Sequence, residues 1–191
     1  SKSVIADMAY LRETGLAESI RRKAAEIPVF GICGGYQILG ERISDPYHTE
    51  GGGSTGGIGL LPVTSVFEPK KQRTTLTGCF EQVEGIFYGL SGKSYEGYEI
   101  HMGQSTHDGM PFTQSGAQCG NTYGTYVHGI FDRAEVSSVI IKALCEKKGI
   151  AFSGKAHDRR AEKERQYKLL ADTVRKSLDM ELVYRILDEG I

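Results

Sequence analysis

Cys33 stands between the apolar run IPVFGI at residues 27–32 and a segment that reads as helix, with Gly31, Gly34 and Gly35 around it. A strand that ends in a tight glycine turn and enters a helix carries its turn residue to the carboxyl edge of a sheet, where α/β proteins hold their ligands. The free N–H groups and positive potential of a helix N-terminus lower a thiol pKa. Gly31, Gly34 and Gly35 remove side chains that would crowd such an elbow, the geometry also used by serine nucleophiles. The Gly34 N–H is then a candidate donor to a developing oxyanion. The competing reading is a buried, inert cysteine beside a turn.

A thiolate nucleophile needs a base to manage its proton. The five histidines are His48, His101, His107, His128 and His157. His128 follows the apolar run Thr125-Tyr126-Val127 and precedes Gly129, so it reads as a histidine at a strand end facing a cleft. A hydrogen-bonded core histidine is the alternative. His101 lies in Tyr98-Glu99-Ile100-His101, where period-two alternation puts Glu99 and His101 on one face. It is expected either to touch substrate and orient the site or to make a structural hydrogen bond. His48 falls in a glycine-rich loop and reads as a surface residue; His107 and His157 have no supporting context.

These residues need a frame. A chain of 191 residues is long enough for one α/β domain with a continuous core. The pattern predicts a helix from Ser3 or Asp7 to about Lys23, a strand over 27–32 and a helix over 36–43. Residues 44–57, with GGGS at 51–54, read as a mobile loop. Strands are expected over 60–67, 73–77 and 97–102, with short strands or turns over 117–123 and 124–128. A helix is expected over 134–148, followed by a charged helical segment over about 157–189 with Leu169, Leu170, Val174, Leu178, Leu182, Ile186 and Leu187 as its apolar stripe. The expected fold class is α/β, an open mixed or mostly parallel sheet flanked by helices.

The formal charge of −1, from 23 basic and 24 acidic residues, argues against a nucleic-acid partner. No run approaches 18 apolar residues, so no membrane helix is expected. The first fourteen residues lack the apolar core of a secretory signal. Cys33, Cys79, Cys119 and Cys145 form no C-x-x-C pair, which reads as a reducing, cytoplasmic setting without disulfides or a metal site.

Four stretches in order then carry a family likeness: GICGGYQILG at 31–40, GIGLLP at 57–62, GYEIHMGQ at 97–104 and GTYVHGIFD at 124–132. Together they resemble the class I, or triad-type, glutamine amidotransferases, and within them the cobyric acid synthase group. The opening SKSVIADMAYLRETGL is also similar to that group. The resemblance implies a flavodoxin-like amidotransferase domain over 1–191, with Cys33 opening the amide of L-glutamine and His128 as its partner. It further implies oxyanion or substrate contacts from Gly34, Gly35, Tyr36, Gln37 and His101. Triad-type relatives carry a glutamate two residues after the histidine; here that residue is Ile130. Glu99 and Asp132 are the candidate orienters on charge grounds.

By the same resemblance the chain is expected to be the carboxy-terminal part of a two-domain enzyme, with the first strands of its own sheet upstream. ATP and Mg²⁺ are expected in a synthetase domain outside this chain, which itself is expected to bind no cofactor. The implied product is adenosylcobyric acid, made by amidating adenosylcobyrinic acid a,c-diamide, so a corrinoid acceptor is an expected partner through that domain. Self-association is a further expectation, since a sheet without its first strands exposes an edge. The alternatives are an amidotransferase for another acceptor (cobyrinic acid or a cell-wall precursor), a cysteine hydrolase of the peptidase type, and a catalytically inert interaction domain.

Overall fold

A computed structural model describes residues 3–152, 154 and 159–190. The chain opens with two helices, α1 (Val4–Glu13) and α2 (Leu16–Ala24), where a single helix is predicted. The break falls at Gly15, whose φ of 74° is left-handed and closes α1 before α2 begins. Ser3 occupies the position before α1, and Asp7 lies in its first turn. Strand β1 (Val29–Ile32) follows Pro28, and helix α3 (Gly34–Leu39) starts immediately after Cys33.

The predicted helix over 36–43 is too long. The chain leaves it at Gly40, where a Cβ would lie 2.6 Å from the Val63 carbonyl oxygen, and Ile43 belongs to strand β2 (Arg42–Asp45). Residues 44–57 are likewise more ordered than the sequence suggests. Strand β3 (Gly53–Gly56) pairs antiparallel with β2. The buried carboxylate of Asp45 accepts backbone N–H bonds from Thr49 at 2.8 Å, Glu50 at 2.7 Å and Gly52 at 2.9 Å, which fixes the connecting loop.

The two strands predicted over 60–67 and 73–77 are one long strand, β4 (Val63–Cys79), paired with β5 (Ser94–His107). Their register jumps between Phe67 and Gln72, so residues 68–71 bulge from the ladder. A 3-10 turn spans Gly85–Leu90 between them. Strands β6 (Met110–Pro111), β7 (Gly116–Cys119) and β8 (Thr122–Thr125) follow, then helices α4 (Ala134–Lys147), α5 (Arg159–Ser177) and α6 (Met180–Glu189).

The fold is α/β with mixed sheets flanked by helices, as expected, but with two four-stranded sheets in place of one. Their orders are β1-β8-β7-β6 and β3-β2-β4-β5. Each holds one parallel pair, β1 with β8 and β2 with β4, and the remaining pairs are antiparallel. One aromatic-rich core gathers Phe80, Phe87, Tyr95, Phe112, Tyr123 and Ile130. A second joins Met8 of α1, Tyr36 and Leu39 of α3, and Leu61, Ala117 and Tyr126. The predicted apolar stripe of α5 and α6 enters neither: Leu170 is 61% exposed and Leu187 72%. His157 lies outside the described residues.

Candidate active site

The β1–β8 pairing positions the site. These strands run parallel with Ile32 opposite Thr125, and the Cys33 N–H donates to the Thr125 carbonyl at 2.9 Å. Cys33 is thus one residue beyond the carboxyl end of β1, and His128 three beyond that of its neighbour β8. The Cys33 backbone has φ 53° and ψ −112°, a strained conformation for a side-chain-bearing residue. Gly31 must be glycine: a Cβ there would lie 2.6 Å from the Gly35 carbonyl oxygen and 2.7 Å from Leu39 Cδ1. At Gly35 a Cβ would meet nothing within 4 Å, so that glycine leaves open space and is not required by crowding.

Sulfur chemistry departs from expectation. Burial pushes the Cys33 thiol above its ordinary value, and a hydrogen bond with the Gly34 backbone N–H opposes that only in part. Desolvation is the largest influence on the thiol, ahead of the Gly34 N–H at the start of the six-residue helix α3. The thiol lies 3.7 Å from the Ile100 carbonyl oxygen, its hydrogen-bond acceptor.

His128 is held by its backbone. Its N–H donates to the Tyr98 carbonyl at 2.8 Å and its carbonyl accepts the Tyr98 N–H at 3.1 Å, an isolated antiparallel bridge. Burial lowers the pKa of the ring, favouring neutral imidazole, and Nε2 is buried without a hydrogen-bond partner. That nitrogen therefore gives up no hydrogen bond on protonation.

The remaining predicted residues divide. His101 stacks on Tyr126 with ring centroids 3.8 Å apart, and its Nδ1 pairs with the Gly103 carbonyl at 2.6 Å. Its Nε2 lies 3.5 Å from the Glu99 carboxylate, which also accepts from the Ser115 hydroxyl. The His101 hydrogen bond holds the Glu99 carboxyl below the usual carboxylate range against the effect of burial, with Ser115 assisting and the nearby His128 adding to it. Glu99 thus sits among the histidines, whereas Asp132 is exposed on the turn after Gly129. Ile130, where a triad-type relative carries its glutamate, is buried in the aromatic core.

Gln37 donates from Nε2 to the Tyr126 hydroxyl at 3.0 Å, and that hydroxyl pairs with Ser105, itself paired with Ser65. Tyr36 is not a pocket residue. It is 1% exposed, packs edge-on against Tyr126 and fills the space left by Gly124, because a large aromatic there completes the core under α3. A cavity of about 220 Å³ is lined by Cys33, Gly34, Gln37 and His101, together with Glu50 and Lys71. Sequence reasoning missed Glu50, Lys71, Tyr98 and Ser115. Only the period-two grouping of Glu99 with His101 pointed toward part of this cluster.

Among the described residues no group of three or more His, Cys, Asp or Glu could hold a metal ion. None of their helices is long and apolar enough to cross a membrane.

Residues 1–136 match the model of the CobB/CobQ-like glutamine amidotransferase domain. The chain is 47% identical over 208 residues to the cobyric acid synthase of Ruminiclostridium cellulolyticum, covering 100% of this chain and 40% of that protein. It is 42% identical over 214 residues to the cobyric acid synthase of Lachnoclostridium phytofermentans, covering 100% and 42%. Against the cobyric acid synthase of Dehalococcoides mccartyi strain BAV1 the identity is 40%, covering 100% and 41%. The chain therefore spans about two fifths of the length of these relatives.

Proposed function

The chain belongs to the CobB/CobQ-like glutamine amidotransferase domain family, and on that premise we propose that Cys33 and His128 carry out its hydrolysis of L-glutamine. The observation that carries this reading is the position of the two residues past the carboxyl ends of adjacent parallel strands.

The steps follow from the groups present. Neutral His128 takes the thiol proton as Sγ attacks the side-chain carboxamide carbon. The Gly34 N–H donates to the oxyanion that forms. The imidazolium returns its proton to the amide nitrogen, the C–N bond breaks and ammonia leaves, with a γ-glutamyl thioester on Cys33. Water, deprotonated by His128, attacks the thioester carbon. The C–S bond breaks, glutamate departs, and the proton on His128 restores the thiol. The balance is glutamine plus water to glutamate plus ammonia. A thiol raised by burial fits a nucleophile that ionises as it attacks instead of standing as a thiolate.

That the relatives are cobyric acid synthases supports a corrinoid acceptor. In this reading the ammonia is used, with ATP and Mg²⁺ held outside this chain, to amidate four carboxylates of adenosylcobyrinic acid a,c-diamide and give adenosylcobyric acid.

The test is glutamine-dependent amidation by the full-length protein, with Cys33→Ala alongside. The expected result is loss of glutamine use in the variant, retention of ammonium-dependent amidation, and a diamide substrate gaining four amides. Glutamine turnover undiminished in Cys33→Ala would overturn the nucleophile assignment. Glutaminase activity with no amidation of this corrinoid would overturn the acceptor alone.

A further inference from the structure

The cavity beside Cys33 carries two opposite charges that the hydrolytic steps do not use. Its walls include Glu50 and Lys71. At about 220 Å³ it falls below the range of roughly 300–1,000 Å³ usual for drug-sized ligands, so it suits a small metabolite. With the substrate amide at the Cys33 sulfur, the other end of free glutamine presents an α-ammonium and an α-carboxylate. We infer that Glu50 receives the α-ammonium and Lys71 the α-carboxylate, so that this site selects an unblocked amino acid. The inference rests on Cys33 being the nucleophile.

Both residues are positioned by the local fold. The loop ahead of Glu50 is folded onto the Asp45 carboxylate, which takes the Glu50 N–H itself at 2.7 Å. The Glu50 side chain is anchored at Oε2 by the Val4 N–H at 2.8 Å. Lys71 ends the bulge in β4, where the pairing jumps from Phe67–Gly103 to Gln72–His101, so four residues of β4 face a single residue of β5. That bulge brings a lysine to the cavity that also contains His101. No ion pair joins Glu50 to Lys71 among the described residues, so the two charges do not cancel each other. Thr49, on the same wall, has a buried hydroxyl without a hydrogen-bond partner.

A site built to bind a charged group rejects an analogue that lacks it, because its own polar groups are then left unpaired. The experiment measures glutaminase kinetics with L-glutamine, glutaramate (no α-ammonium) and 4-aminobutanamide (no α-carboxylate). It compares the wild type with Glu50→Gln, Lys71→Met and Cys33→Ala. Glu50→Gln is expected to raise the glutamine KM about 10- to 100-fold with kcat within about threefold, and to lose discrimination against glutaramate. Lys71→Met is expected to do the same for 4-aminobutanamide. Lys71 is exposed, so its substitution tests the clamp even where Glu50→Gln disturbs folding through Val4. Wild-type KM and discrimination in Lys71→Met, with Cys33→Ala inactive, would overturn the clamp and leave the nucleophile standing. Turnover in Cys33→Ala would instead remove the reading on which the clamp rests.

Discussion

The imidazole of His128 lies parallel to the phenol ring of Tyr98, with centroids 5.0 Å apart and planes 7° apart. The same two residues exchange both backbone hydrogen bonds. Where triad-type relatives would orient the histidine with a carboxylate, this chain places core Ile130 two residues on, and the His128 ring is steadied from its face. Removing the stack leaves the backbone bridge intact but frees the ring to rotate. Tyr98→Ala is therefore expected to lower glutaminase kcat about tenfold or more with little change in KM, while Tyr98→Phe, which keeps the ring, stays near wild type. Equal kcat values for Tyr98→Ala and the wild type would show that the stack does not position the base.

The site is set to rest as thiol and neutral imidazole. Burial lowers the His128 pKa and raises that of Cys33, so both groups are uncharged over a wide interval around neutrality. The kcat/KM profile is expected to be flat near pH 7–8, with its acid limb below about 6.5, the ordinary histidine value. Iodoacetamide labelling of Cys33 in the absence of glutamine is expected to reach half its maximal rate only above about pH 8.5. A labelling midpoint below pH 7 would mean a standing thiolate–imidazolium pair and a different first step.

Helix α3 can approach β1 only because residue 31 has no side chain. A Cβ at Gly31 would sit 2.6 Å from the Gly35 carbonyl oxygen, against backbone that has no easy way to yield. Gly31→Ala is expected to destabilise the domain by about 1–3 kcal/mol, as overpacking does, and to reduce glutamine hydrolysis by shifting the elbow. Gly35→Ala, where the added methyl meets nothing, is the control for folding. Urea unfolding of both variants checks this, and similar midpoints for the two would contradict it.

Asp45 ties the loop that carries Thr49 and Glu50. Burial alone would raise its carboxyl, but the Glu50, Gly52 and Thr49 N–H groups outweigh burial and hold it below the usual range. A carboxyl depressed on folding adds stability above its unfolded pKa of about 3.9, and that stability disappears as pH falls through the lower, folded value. Asp45→Ala is expected to cost about 3 kcal/mol at pH 7, with the gap to wild type narrowing below about pH 4. A pH-independent difference in chemical denaturation would assign the loss to packing instead.

The local chemistry was legible in the residues. Cys33 between an apolar strand and a glycine-led helix, and His128 before a glycine at a strand end, could be read because strand, turn and helix signals lie within a few residues of each other. The elements with clear period, β1 and α4, fall close to their predicted bounds. Element ends were less legible. Helix α3 stops at Leu39, and the residue that follows must be glycine because the Val63 carbonyl, 23 positions away, occupies the space a Cβ would need. Residues 44–57 look like a loose glycine tract until the Asp45 carboxylate is seen binding three of their N–H groups.

By itself the sequence determined the α/β class, the elbow at Cys33 and the family, because those depend on residue types at short spacing. The tertiary structure alone decided the ionisation of the site, since the Cys33 shift depends on how much water packing removes around sulfur. It decided the roles of the aromatics: Tyr36 fills the core under α3, while the half-exposed Tyr98 stacks on His128. It also brought Glu50 and Lys71 to the cavity that Cys33 lines, through a loop closed on Asp45 and a bulge in β4. Contacts between residues tens of positions apart are set by sheet register and packing, and one sequence read locally carries no record of either.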